Sequence, residues 1–304
     1  MSAPSQVFQA AIPPMSRNIS EPNSFDHSTW GSRAVMIIGA GTRAAESVVA
    51  AFAGAGAGRI ALLDVNDVSG NRDVAIRAAR AGNMEIPDML TFRLDGEGSV
   101  TPAEAAEEVS RKWGHIDIMV HHACTPLTSS KLDRNGQRMD ASQSWKSLEA
   151  GVRNVYESLQ QLLFLVLAGS EKTLINIFTA TELGTPPAVG VSRMVEMLNR
   201  QMTDSLMLDH GHEGLLAYSV HSPADNATEL DGSIIVQLTK NRIEWLGGRH
   251  ISSKQNVQEL LAYREMIVHK DLLRYNSSLS FGLPSERAWH PFMKRRGRVP
   301  RSSF

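Results

Sequence analysis

The chain has 304 residues, of which 42% are hydrophobic and 21% charged, so it has the material for a large core and is not disordered as a whole. Its 31 basic and 32 acidic residues leave a formal net charge of −1, which supplies no field to gather nucleic acid or an anionic membrane. The single cysteine, Cys124, excludes an internal disulfide; there is no basic-then-apolar leader pattern and no apolar run of the ~20 residues a membrane span needs, so the sequence predicts a cytoplasmic protein.

Residues 1–32 mix Ser, Pro, Asn and Gln without periodicity and read as an N-terminal tail or surface strap. The run Ala34-Val-Met-Ile-Ile-Gly39 is continuously apolar and rich in β-branched side chains, the pattern of a strand buried on both faces. A helix follows from about Thr42, with Ala45, Val48, Val49 and Phe52 on one face. The alternation then repeats: strand Arg59–Asp64, helix Ser69–Ala81, strand Leu90–Asp95, helix Pro102–Trp113, strand Ile116–His121. Two longer helices, Ser144 to about Leu167 and about Ala188 to His210, flank a strand at Leu174–Phe178. A strand at Leu215–Val220, a short helix near Ser233–Thr239, a strand around Arg249–Ser252 and a helix at Val257–Leu272 complete the pattern. Strands alternating with helices imply right-handed crossovers and a doubly wound parallel α/β sheet. We expect one nucleotide-binding domain over 33–274 and a basic tail over 275–304, with Lys294, Arg295, Arg296, Arg298 and Arg301 as solvated charge.

One turn carries the chemistry. A dinucleotide sets its pyrophosphate against backbone N–H groups at a helix N-terminus, and glycines are needed where a side chain would block the approach. Gly39-Ala40-Gly41-Thr42-Arg43-Ala44 has the G-x-G-x-x-G/A form, directly after a strand and opening a helix. Asp64 stands 25 residues beyond Gly39 at the end of the second strand, where a carboxylate accepts hydrogen bonds from the adenosine ribose. Its charge repels a 2′-phosphate, so NAD is expected in preference to NADP. The other reading of these glycines is a bare turn of an α/β fold that binds no nucleotide.

Farther on, Glu213-Gly-Leu-Leu-Ala-Tyr-Ser-Val-His221, Ala227-Thr-Glu-Leu230, Glu244-Trp-Leu-Gly-Gly-Arg249, Val257-Gln-Glu-Leu-Leu261 and Lys270-Asp-Leu-Leu273 follow one another in order. In these blocks the chain resembles the short-chain dehydrogenases/reductases over roughly Val35 to Leu272, and most of all a branch frequent in fungal specialised metabolism. The resemblance implies a Rossmann-type sheet of about seven strands and a nicotinamide cofactor. It also implies a small-molecule carbonyl or alcohol as substrate, and homo-oligomers built through the two long helices.

It further implies roles for particular residues. The family uses a Tyr acid/base with a Lys in the motif Y-x-x-x-K, a Ser that orients the substrate oxygen, and an Asn that holds a proton-relay water. Asn176-Ile-Phe-Thr179 resembles the strand that ends in the Ser, which places Thr179 there. Val189-Gly-Val-Ser-Arg193 resembles the Tyr-to-Lys segment, with Val189 at the Tyr and Arg193 at the Lys; Gly151 occupies the Asn position. Thr179 and Arg193 are therefore the catalytic candidates. The resemblance assigns cofactor contacts to Gly39, Gly41, Thr42, Arg43, Asp64, Asp95, His122, Arg193 and Thr228. The element that edges the cofactor reads His121-His122-Ala123-Cys124; adjacent strand residues point to opposite faces, so the two histidines are not expected to share a metal. The segments Thr179–Val189 and Leu230–Leu238 are shorter than is usual in the family.

Valine carries no ionisable proton, and arginine does not reproduce an ammonium point charge. Three readings follow: an atypical NAD(P)-dependent oxidoreductase with Thr179, Tyr156, His122 or a residue near Ser192 supplying the proton, an isomerase or cyclase reusing the pocket, or a catalytically inactive partner protein.

Overall fold

A computed structural model describes residues 30–94, 98–122, 141–180, 190–223, 231–240 and 242–274. Seven strands form one parallel sheet in the order β3-β2-β1-β4-β5-β6-β7. The strands are β1 (Ala34–Ile38), β2 (Arg59–Asp64), β3 (Asp88–Arg93), β4 (Ile118–His122), β5 (Thr173–Ala180), β6 (Leu216–Pro223) and β7 (His250–Ser252). The connecting helices are α1 (Arg43–Ala55), α2 (Ser69–Ala81), α3 (Pro102–Trp113), α4 (Ala141–Ala168), α5 (Gly190–His210) and α6 (Gly232–Lys240). The expected doubly wound parallel sheet is the one observed.

Burial on both faces explains why β1 reads as an unbroken apolar run: all five of its residues are buried. On one face Val35 and Ile37 pack with Val48, Val49 and Phe52 of α1, Ala75 and Ala79 of α2, and Ile234 and Ile235 of α6. On the other face Met36 and Met119 pack with Val109 of α3 and with Leu162 and Val166 of α4. Local signals set the helix ends. Thr42 caps α1 by accepting the Ala45 N–H, and Thr101 and Glu104 form a capping box on α3 with Pro102 in its first turn.

Several strand and helix ends shift by one to three residues, β3 being Asp88–Arg93 rather than Leu90–Asp95, and two segments differ more from the sequence pattern. Trp30, inside the segment read as tail, is fully buried, edge-on to Phe52 at 5.7 Å between centroids and under the Arg33 guanidinium at 4.4 Å. The helix expected over Val257–Leu272 is instead two short helices, α7 (Val257–Ala262) and α8 (Arg264–His269), followed by positive φ at Asp271 and Leu273. A buried cation holds the chain just beyond the end of α8. Arg249, 4% exposed, donates to the Trp245 and Leu272 carbonyls and pairs with Asp271 at 3.0 Å, which turns the chain back on itself. The blocks Glu244–Arg249 and Lys270–Leu273, far apart in sequence, thus meet in one ion pair.

Asp117 performs a similar task at the amino ends of the central strands. Its buried carboxylate accepts the Ala34 N–H, the Ser170 N–H and the Ser170 hydroxyl, each at 2.9 Å, and so ties β1 to β4 and to the start of β5. Burial pushes its pKa up, but these donors outweigh that and hold it below the ordinary carboxylate value. Among the described residues no helix is long and apolar enough to cross a membrane.

Candidate functional site at the carboxyl edge of the sheet

The strand order reverses between β1 and β4, so a crevice opens at their carboxyl ends, the usual ligand position in a doubly wound sheet. The Gly39–Thr42 turn lies there. Gly39 has φ +78°, and a Cβ on it would collide with the backbone oxygen of His122. Only glycine meets both demands. The Gly39 and Ala40 N–H groups donate to the Leu63 carbonyl at 2.9 and 3.2 Å, which docks the turn onto the end of β2.

Asp64 ends β2 beside this turn and is 5% exposed. Its Oδ2 accepts the Gly41 N–H at 2.8 Å, and its Oδ1 accepts the Asn66 N–H at 2.7 Å and the Asn66 side-chain amide at 3.0 Å. A Cβ on Gly41 would lie 3.0 Å from both the Asp64 carboxyl carbon and the Asn66 Cβ, so this glycine allows the carboxylate to approach. From the first turn of α2, Asn71 donates to the carbonyls of Ala40 and, at 3.4 Å, Thr42. The Ala40–Gly41 peptide is therefore held at both ends, its oxygen by Asn71 and its N–H by Asp64.

The two histidines at the end of β4 face opposite ways, as their adjacency in a strand requires. His122 Nδ1 lies 3.1 Å from the Thr42 hydroxyl, which itself donates to the Gly39 carbonyl at 3.0 Å. With that proton committed, the ring donates through Nδ1. On the other face, His121 Nδ1 meets Asn176 Oδ1 at 3.4 Å, and the Asn176 amide reaches the Asn199 carbonyl at 2.7 Å and the Thr203 hydroxyl at 3.2 Å in α5. Leu159, Leu174, Met202 and Leu206 wall this cluster, and the space they enclose holds no water-sized guest. Burial lowers the pKa of His121 to about 4; burial and the neighbouring His121 lower that of His122 to about 4. Both rings are thus neutral near pH 7, and His122 is no imidazolium proton donor. Among the described residues no group of three metal-ligating side chains occurs.

The structure brings together Gly39, Gly41, Thr42, Asp64 and His122, all named from sequence as cofactor contacts. Thr179 lies near the end of β5, in register with Ser222 of β6, and Arg193 lies in the first turns of α5. The side chains of Arg43, Thr179 and Arg193 lie outside the described residues, as do Asp95, Val189 and Thr228 entirely. Tyr156 is 56% exposed on α4, whereas Tyr218 is fully buried and donates to the Ile243 carbonyl at 3.1 Å. Burial pushes the Tyr218 phenol further up, so it is a packing residue. Sequence reasoning missed Asn66 and Asn71. The Asp64-x-Asn66 spacing after a strand was the available signal for the first, since such residues close Asx-type turns.

No protein-family model matches the chain. It is 27% identical over 264 residues to a short chain dehydrogenase of Monascus purpureus, covering 80% of this chain and 87% of that protein. It is 25% identical over 258 residues to a short chain dehydrogenase of Emericella variicolor, covering 79% and 87%. The chain is thus similar to fungal short chain dehydrogenases over about four fifths of its length. Solved structures share the fold: levodione reductase superposes with a TM-score of 0.59 at 14% identity, covering 75% of this chain and 98% of that one. The NADH-dependent reductase A1-R′ complexed with NAD superposes with a TM-score of 0.58 at 12% identity, covering 72% and 94%.

Proposed function

We propose that the chain binds NAD(H) at the Gly39–Thr42 turn and works as an atypical oxidoreductase on a small-molecule carbonyl or alcohol. The observation that carries this reading is the Gly41–Asp64 contact. A turn that admits no Cβ at Gly39 sits against a carboxylate that, among the described residues, has an acceptor position to spare, at the sheet's reversal point. The likeness to fungal short chain dehydrogenases supports the same chemistry. Gly39, Gly41 and Thr42 would face the pyrophosphate, Asp64 the adenosine ribose, and Asp95, Thr228, Arg43, His122 and Arg193 the remaining contacts. The cofactor, when bound, supplies or accepts the hydride. Thr179 would orient the substrate oxygen by its hydroxyl, and Arg193 would hold ribose by charge and its planar fork. The negative charge of Asp64 opposes a 2′-phosphate, so NAD is favoured over NADP.

Titration of the purified chain with NADH, followed by nicotinamide fluorescence, is expected to saturate below millimolar cofactor. Asp64→Asn should weaken it about tenfold, the worth of one charge-assisted hydrogen bond. An absence of binding by the wild type at millimolar NADH would overturn the reading.

A catalytically silent binding protein is the second reading, favoured by the assignment of Val189 and Arg193 to the Tyr and Lys positions. Both readings share a homo-oligomer. Trp145, Tyr156 and Phe164 on α4 and Met194, Met197, Leu198 and Leu208 on α5 are exposed on two neighbouring helices, an apolar area that a second copy would cover. Light scattering should give a mass above the 33.3 kDa of one chain, and Tyr156→Lys with Phe164→Lys should return it to that value. A wild-type monomer refutes the oligomer.

A further inference from the structure

The Asp64 carboxylate shows how firmly an adenosine ribose can be held. A carboxylate has about four acceptor positions, two on each oxygen. Here Oδ1 takes two donors, the N–H of Asn66 at 2.7 Å and its side-chain amide at 3.0 Å, while Oδ2 takes the Gly41 N–H at 2.8 Å. Among the described residues one position is left without a donor, on Oδ2. A ribose presents two vicinal hydroxyls, and a grip on both needs two. The Asn66 amide occupies the second.

We propose that Asn66 is an affinity-determining residue whose amide stands in for one ribose hydroxyl, so that the adenosine end of a nicotinamide dinucleotide must displace it or bind through a single hydroxyl. The inference rests on the reading that the Gly39–Thr42 turn holds NAD(H). Three features favour it. The competing donor is a side chain, free to rotate away, while the two backbone donors stay. Asn66 is itself exposed and so covers a carboxylate that is only 5% exposed. Its Cβ also lies 3.0 Å from where a Cβ on Gly41 would be, so the residue packs against the turn proposed to face the nucleotide.

The sign of the effect separates this role from a structural one. Loss of a side chain that merely braces the β2–α2 turn weakens binding, whereas loss of a competitor strengthens it. The full-length chain, Asn66→Ala and Asn66→Val would be titrated with NADH and with NADPH by nicotinamide fluorescence, with thermal midpoints recorded for each. Both variants are expected to bind NADH about three- to tenfold more tightly than wild type, the range of one hydrogen bond in exchange with water. NADPH should gain nothing, because its 2′-phosphate has no hydroxyl proton to give the vacated position. NADH affinity that is unchanged or reduced in both variants overturns the proposal and leaves the nucleotide site standing. So does an equal gain for NADPH, which would mean a general loosening of the turn. Failure of all three proteins to bind NADH at millimolar concentration overturns the nucleotide reading, and this inference with it.

Discussion

Placing a tyrosine at 189 and a lysine at 193 together is expected to raise NADH-dependent ketone reduction by about 10²–10⁴-fold, the usual worth of a positioned proton donor in the transition state. The argument is chemical. Reduction of a carbonyl leaves an alkoxide that must take up a proton, and valine has none to give. Tyr218 is no substitute, since its phenol is buried against the Ile243 carbonyl, and His122 is held neutral by burial. The lysine is included because a tyrosine alone titrates near 10 and needs an adjacent ammonium to lower it. The measurement is loss of nicotinamide absorbance with a panel of ketones, for wild type, each single variant and the pair. A gain in the pair that exceeds the product of the single gains supports the oxidoreductase reading. Tight NADH binding with no gain for any ketone supports the silent binding protein instead.

Acid should destabilise the fold before its carboxylates protonate. His121 and His122 are 4% and 6% exposed, and burial lowers both pKa values from 6.5 to about 4. Between those two pH values the unfolded chain binds more protons than the folded one, so stability rises with pH across that window. It is fully present above about pH 6.5 and is lost as the pH falls towards 4. Each histidine contributes roughly 3 kcal/mol over the whole interval, an order-of-magnitude figure from a shift of two to three units. Urea midpoints between pH 7.5 and 4.5 should fall steeply, and His121→Gln should flatten the slope by about half. A midpoint that stays level would mean that the folded protein accepts these protons.

Much of this was legible in the chain itself. The strand and helix order followed from apolar runs and periodicity, and α2 and α3 begin and end where the sequence pattern places them, because an amphipathic stripe and, in α3, a capping box are local properties. The glycine turn was legible too, since a strand followed by two glycines and a helix places it at the carboxyl end of β1. Tertiary structure decided the rest. Nothing local marks Arg249 as buried, and only its meeting with Asp271 and the Leu272 carbonyl shows how the chain is held just beyond α8. Nor does any spacing show that Asn71 reaches back to Ala40 or that His121 is enclosed with Asn176. The sequence alone thus determined that a glycine turn of dinucleotide-binding form follows β1. The tertiary structure decided that the Gly41 N–H takes an acceptor position of Asp64, because donors compete for a carboxylate only once folding brings them within reach.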